Sequence, residues 1–184
     1  KMERIAEQEA EVFTIKAQYA YTEDMKEFPA TLSIVRPFRL LEKYAGRENE
    51  VKFIQFLESN PQYIEWWFKN GTGKDAYGIR YTDHATNKER IFYPDWIIKF
   101  RGKDVLGIFD TKGGFTASES EVKDKAEVLA AKIVSLNANP QKRFLYYGGI
   151  LIQQEGLWLY NDNLNYSNYA TNKAVWKNFT DLFK

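Results

Sequence analysis

The sequence predicts an α/β fold, in which a mixed β-sheet packs against helices. Three observations support this prediction. Short segments between residues 63 and 109 have the composition of strands, and residues 144–152 form an apolar run typical of a buried strand. Segments with helical spacing of apolar residues precede and follow the first group of strands. With 184 residues, of which 44% are hydrophobic, the chain is long enough for a domain with a substantial core.

The composition excludes several kinds of functional site. There is no cysteine, which excludes disulfides, thiol nucleophiles and cysteine-based zinc sites. The single histidine, His84, cannot form a two-histidine metal site. The net charge of +1 is not by itself typical of tight nonspecific nucleic-acid binding. No membrane-spanning run or signal peptide is present, so we expect no membrane partner and a cytoplasmic location.

The first part of the chain predicts an N-terminal β-hairpin extension. Apolar and polar residues alternate over residues 13–21, and residues 30–37 can return as a second strand after a polar break. The chain begins with charged, helix-prone residues and not with methionine, which we interpret as the start of an excised fragment. We expect residues 1–36 to be a linker and residues 37–184 to form the domain.

The first predicted helix, at residues 47–58, carries an acid on its apolar face. Glu50 has the spacing that places it on one helix face with Phe53 and Leu57. A glutamate on a buried face is unfavourable unless it is paired. Glu50 also lies in the first turn, where it complements the helix dipole, and taken alone the residue is explained more simply in that way.

Residues 63–69 and 76–82 predict two strands that lead into a central β-hairpin at residues 91–114. Apolar runs at residues 91–100 and 105–109 flank a polar break in this hairpin. Pairing about the break places Asp95 opposite Asp110, and the period of two places both acids on one face with Tyr93 and Lys112. The result is an antiparallel meander of at least three strands.

Two carboxylates opposite each other in a buried hairpin require an explanation. Like charges destabilise a cross-strand pair, and apolar surroundings strengthen their repulsion. Either one carboxyl group is protonated or a cation lies between the two. Lys112 is one such cation, and a divalent metal is a better one because Mg²⁺ accepts carboxylate and carbonyl oxygens with water. The alternative is a surface hairpin with two solvated aspartates.

The rest of the chain predicts a helix, two strands and a closing helix. Ser118 and Glu121 form a capping box, and the helix that follows has a core stripe that begins at Val122. Lys125 lies one turn into this helix and can reach the pocket of the two aspartates. Strands at residues 144–152 and 157–160 follow, and residues 171–183 have the pattern of an amphipathic helix.

The order of these elements, together with four acidic and basic positions, resembles a known nuclease superfamily. A helix with Glu50, a meander with Pro94-Asp95 and Asp110-Thr111-Lys112, a helix and a strand resemble the PD-(D/E)xK superfamily and its restriction-endonuclease-like core. The segments ENEVKFIQFLES, WWFKNG, FYPDWIIKF and GIFDTKGG are similar to the C-terminal nuclease domain of type III restriction subunits, which are Res-like and helicase-linked. This resemblance covers residues 37–160.

The resemblance implies a Mg²⁺-dependent endodeoxyribonuclease, in which Mn²⁺ can replace Mg²⁺. It implies that the partners are DNA, an ATPase or helicase motor of the same polypeptide joined through residues 1–36, and a modification subunit. The other function that we weigh is a catalytically silent nucleic-acid-binding or scaffold domain of a helicase. The implied site consists of the catalytic residues Glu50, Asp95, Asp110 and Lys112, the metal ligands Asp95, Asp110, Thr111 through its carbonyl, and Glu50, and the substrate contacts Lys125, Tyr93 and Gly113.

Overall fold

The structure is a computed structural model that describes residues 13–16, 19, 21–41, 48–113 and 120–184. In these ranges no helix is long and apolar enough to cross a membrane. The elements, in chain order, are β1 (Met25–Glu27), β2 (Arg39–Leu41), α1 (Glu48–Glu58), β3 (Ile64–Lys69), β4 (Ile79–Asp83), β5 (Lys88–Phe92), β6 (Trp96–Phe100), β7 (Val105–Thr111), α2 (Ser120–Ala138), β8 (Leu145–Gln154), β9 (Leu157–Asn161), a 3₁₀ turn (Lys173–Val175), β10 (Lys177–Asn178) and a second 3₁₀ turn (Phe179–Phe183).

A six-stranded mixed sheet forms the centre of the structure. Its strand order is β10-β9-β8-β7-β6-β3. Among these neighbours only β7 and β8 are parallel. The helix α2 connects them and carries the chain back to the end of the sheet at which β7 begins, so β8 runs in the same direction as β7. The predicted fold class, a mixed sheet with helices, is therefore confirmed.

The two helices lie against opposite faces of this sheet. In α1 the side chains of Phe53 and Leu57 are completely buried, and they belong to one core cluster with Trp96. In α2 the side chain of Leu129 packs with Ile108 on the other face. Both predicted helical stripes are confirmed by their burial. The predicted cap residue Ser118 lies outside the described residues.

The central hairpin has the predicted register but a shorter first strand. Trp96 pairs with Phe109 and Ile97 with Ile108, as expected from pairing about the polar break. Gly102 in the turn has a φ of 68°, a conformation that favours glycine. The predicted strand at residues 91–100 is wrong in its extent, because its first two residues belong to β5 and the chain changes partner at Tyr93-Pro94-Asp95.

The predicted meander is interrupted by a separate hairpin. β4 pairs with β5 in a two-stranded sheet of its own, and β3 pairs with β6 instead of with β4. The reason lies in the apolar residues of the β4–β5 hairpin, since Ile79, Tyr81 and Phe92 pack with α2. The hairpin therefore covers α2 and does not extend the main sheet.

The N-terminal hairpin exists, but its strands are not the predicted ones. β1 and β2 pair antiparallel, whereas the described residues within 13–21 form no strand. This part of the chain is held by aromatic packing and not by strand pairing. The ring centroids of Phe13 and Tyr19 lie 6.1 and 5.8 Å from the ring centroid of Phe68. Leu32 and Phe38 are buried in the main core.

The predicted C-terminal helix is wrong. Within residues 171–183 the chain forms two 3₁₀ turns and the short strand β10, which pairs with β9. Trp176 and Phe179 belong to different core clusters, so the apolar residues of this segment do not share one helical face. The Asn178 side chain accepts a hydrogen bond from the Thr180 N–H at 3.0 Å and so begins the second turn.

Candidate active site

Ionisable side chains from four elements meet at one end of the main sheet. Glu50 lies in the first turn of α1, and Lys69 is the last residue of β3. Asp95 comes directly before β6, and Asp110 lies near the end of β7 with Lys112 just after it. Because β3, β6 and β7 are adjacent, these chain ends bring three acids and two lysines together.

A buried asparagine holds the turn that carries Asp95. The Asn70 side chain donates to the carbonyls of Tyr77 and Pro94 at 2.9 and 2.8 Å and accepts from the Tyr77 N–H. The backbone N–H of Asn70 donates to the Asp95 carbonyl at 2.7 Å. Asn70 is only 6% exposed, so these bonds fix where the chain leaves β5 and enters β6.

Asp95 is an ionised and well-satisfied carboxylate. Its Oδ2 accepts hydrogen bonds from the Thr111 N–H at 2.9 Å and the Thr111 hydroxyl at 2.6 Å. Its Oδ1 accepts from the Lys69 ammonium at 2.8 Å. Burial alone would raise the pKa of Asp95, but Lys69 and these hydrogen bonds hold the pKa below its ordinary value.

Lys69 joins α1 to this site. Its Nζ lies 3.2 Å from Glu50 Oε2 and 2.8 Å from Asp95 Oδ1, and the ammonium is 5.0 Å from the centroid of the Trp96 ring. The Lys69 side chain is only 12% exposed. Burial lowers the pKa of Lys69, but the two acids outweigh it, so the side chain remains an ammonium.

Asp110 is in a less favourable position than Asp95. Its side chain is 4% exposed, and its Oδ2 lies 2.6 Å from the Lys112 ammonium without a hydrogen bond of good geometry in the described part of the chain. Burial and the nearby negative charge of Asp95 raise the pKa of Asp110 to about 7. The two acids are thus electrostatic neighbours, and the alternative of two solvated aspartates is excluded for this structure.

The lysines on the α2 side of the site differ in what they contact. Burial lowers the pKa of Lys112, but Asp110 outweighs it, so Lys112 stays charged. Lys125 lies 2.5 Å from Glu121 and points toward the Phe92 ring, whose centroid is 6.0 Å away. Lys125 is therefore paired with Glu121 and not with Asp110. The negative charge of Glu121 also acts on Lys112, so Glu121 lies between the two lysines in electrostatic terms.

The residues of this site suit a magnesium ion in their chemistry. Among the described residues, no three His, Asp or Glu side chains are grouped closely enough to hold a metal ion, and two lysine ammonium groups lie against the three acids. Mg²⁺, however, binds through one or two carboxylates and keeps several waters. Asp110 has a buried oxygen with an incomplete set of hydrogen bonds beside a second carboxylate. A hard cation would satisfy that oxygen.

Three features of the site were not found from the sequence. Lys69, Asn70 and the role of the Thr111 hydroxyl depend on β3 lying beside β6, which strand patterns do not specify. A signal for Lys69 did exist, because a lysine two residues after the buried Trp67 lies on the same strand face. Of the predicted contacts, Tyr93 lines a cleft beside Asp95, and Gly113 is the second residue after the end of β7.

The raised pKa of Asp110 predicts how stability depends on pH. Between about pH 4 and about pH 7 the folded protein binds the Asp110 proton more tightly than the unfolded chain. The free-energy cost of ionising Asp110 in the folded protein is therefore absent near pH 4, where the carboxyl group is protonated, and almost fully present near pH 7. Relative to Asp110→Asn, the wild-type free energy of unfolding should fall by up to about 4 kcal/mol across this window. Urea unfolding of both proteins without divalent metal measures this, and parallel pH curves would contradict it.

No protein-family model, curated protein or solved structure matches this chain. The conclusions about its function therefore depend on its own residues and their arrangement.

Proposed function

We propose that this chain is a metal-dependent DNA endonuclease domain with a restriction-endonuclease-like core, and that it belongs to a type III-like restriction or helicase-nuclease protein. The observation that carries the proposal is the pair Asp95 and Asp110, a half-buried and a buried carboxylate at adjacent strand ends with an ammonium group beside each. Burial and Asp95 raise the pKa of Asp110 to about 7, and acids with raised pKa values cluster at sites of chemistry.

Asp95 and Asp110 would hold Mg²⁺ or Mn²⁺, with the Thr111 carbonyl and Glu50 as further ligands. A divalent ion supplies a polarised phosphoryl oxygen and a water of lowered pKa. Glu50 and Asp95 already share the Lys69 ammonium, so a divalent ion would compete with this ammonium for the Asp95 carboxylate.

Lys112 would act directly on the phosphodiester. Hydrolysis forms a bond from the water oxygen to phosphorus and breaks the bond from phosphorus to the leaving oxygen, which departs with a proton. Because Lys112 stays an ammonium, it can donate hydrogen bonds but cannot act as the base. Its part is to orient the attacking water and to stabilise the negative charge that develops on the phosphoryl oxygens.

A silent nucleic-acid-binding or scaffold domain is the second candidate function. The two lysines favour it, since each of the three acids already has an ammonium partner within 3.2 Å. The charges of such a site are paired without a metal. In that case Asp95 and Asp110 stabilise the end of the sheet, and DNA retention does not depend on either acid.

Incubation of supercoiled plasmid with the protein and Mg²⁺ or Mn²⁺ tests the proposal. We expect nicking that requires the metal and is lost in Asp110→Asn, because asparagine keeps the shape but removes the charge that binds the ion. Asp124→Asn is the matched control, since Asp124 contacts exposed His84 outside the site. Nicking that persists in Asp110→Asn would come from a contaminant and would contradict the proposal.

A further inference from the structure

A cleft of about 410 Å³ opens beside the acids, between the N-terminal segment and the end of β3. Lys69 and Asp95 line one part of this cleft, and Arg39 of β2 lines another. Its volume lies within the range of pockets that enclose a small molecule, about 300–1,000 Å³. The cleft can therefore take one chemical unit of a larger substrate whose backbone lies at the acids.

The walls of this cleft are rich in aromatic rings. Tyr21 and Phe38 come from the N-terminal segment, Phe68 from β3, and Tyr93 from the turn before β6. The Tyr21 hydroxyl donates to the Pro37 carbonyl at 2.8 Å, which holds that side of the cleft in place. Phe38 and Phe68 are buried and form the floor of the cleft, so the rings that a ligand can contact are the half-buried Tyr21 and Tyr93. Stacking on aromatic rings accepts any nucleobase.

Arg39 supplies a hydrogen-bond donor for which the described part of the chain holds no acceptor. Its Nε is buried and has no hydrogen-bond partner among the described residues. The guanidinium carbon lies over the Tyr21 ring, 5.4 Å from its centroid, at the distance of a cation–π interaction. A buried donor without a partner is unfavourable, and a ligand with phosphate or base acceptors would remove this penalty.

From these three features we infer that the cleft binds one unpaired nucleotide of DNA, next to the phosphodiester at the acids. The substrate class of this site is then a single strand, or a duplex with an unpaired position. A nucleotide within an intact duplex is stacked and paired, and its base reaches such a cleft only if it is flipped out at an energetic cost. The inference rests on the proposed nuclease function and adds the kind of DNA that the site accepts.

Binding of three labelled oligonucleotides tests the inference. They share one sequence as a single strand, a blunt duplex and a duplex with one unpaired nucleotide, and the whole chain is titrated with Ca²⁺ in place of Mg²⁺ to prevent cleavage. Fluorescence anisotropy should show the single strand and the interrupted duplex bound at least about tenfold more tightly than the blunt duplex.

Variants on the two sides of the cleft localise the effect. Arg39→Met removes the unpartnered donor, and Tyr93→Leu removes one aromatic wall. Each should lower the affinity for the single strand by about tenfold and leave the affinity for the blunt duplex nearly unchanged. Arg143→Met is the matched control, because Arg143 lies 5.1 Å from the Phe144 ring centroid, away from the acids. Thermal melting confirms that each variant is folded.

The outcomes separate this inference from the proposed function. Equal binding of single strand and blunt duplex, or equal losses in Arg39→Met and Arg143→Met, would overturn the inference even if plasmid is nicked. Single-strand binding that requires Arg39 and Tyr93 in a protein that cuts no DNA would support the nucleotide cleft and contradict the nuclease.

Discussion

Lys112→Met should lower the rate of metal-dependent plasmid nicking by about 100- to 1,000-fold. Methionine has nearly the length of lysine but cannot donate a hydrogen bond to water or to a phosphoryl oxygen. Lys112 is also the ammonium that contacts Asp110, at 2.6 Å, so the variant has one less charge to oppose the ionised acid. The initial rate of conversion of supercoiled to nicked plasmid, measured at saturating Mn²⁺, gives the effect.

Lys125→Met is the matched control for this prediction. Lys112 and Lys125 have side chains that are both 22% exposed, and each lies within 2.6 Å of one carboxylate oxygen. Loss of Lys125 removes the same charge from the same end of the molecule without removing a donor beside Asp110. If both variants lose activity equally, Lys112 acts through general attraction for DNA, and its assigned part in hydrolysis is wrong.

Lys69→Met should lower the free energy of unfolding by about 3–5 kcal/mol at neutral pH in the absence of metal. The change leaves Glu50 and Asp95, with side chains that are 15% and 19% exposed, without the ammonium between them. Mn²⁺ should restore much of this loss, because a cation that binds the folded state alone stabilises it by mass action. Urea unfolding with and without Mn²⁺ measures both effects.

Lys99→Met separates this effect from the general cost of removing a half-buried lysine. Lys99 is also 12% exposed, but its acidic partner Glu65 is 44% exposed and lies 3.6 Å away, so water can solvate Glu65 after the change. We expect a smaller loss in Lys99→Met and no recovery with Mn²⁺. Two results would contradict this prediction: a loss of stability in Lys99→Met as large as that in Lys69→Met, or no response of Lys69→Met to Mn²⁺. Either would show that the Lys69 ammonium does not lie where a divalent ion binds Glu50 and Asp95.

Much of the local structure could be predicted because it depends on the spacing of residues along the chain. The period of apolar residues predicted both helices and their buried faces, including Phe53, Leu57 and Leu129. The polar break at Arg101–Asp104 predicted the β6–β7 register, since a hairpin pairs residues symmetrically about its turn. That register was enough to bring Asp95 and Asp110 to adjacent strand ends.

Predictions failed where the local pattern was compatible with more than one partner. Residues 171–183 have helical spacing, yet Trp176 and Phe179 pack in different clusters, and pairing with β9 determines the structure of the segment. Residues 13–21 alternate like a strand, yet Phe13 and Tyr19 pack on Phe68. Periodicity describes which side chains can be buried, but not which surface buries them.

The sequence by itself determined the two aspartates in register and the helix that carries Glu50, because each depends on near neighbours in the chain. Only the tertiary structure decided that Lys69 lies between Glu50 and Asp95, because this requires β3 to pair with β6 across the inserted β4–β5 hairpin. It also decided that Asp95 is well satisfied by Thr111 while Asp110 has a raised pKa. The physical reason is that desolvation and charge pairing depend on neighbours distant in the sequence.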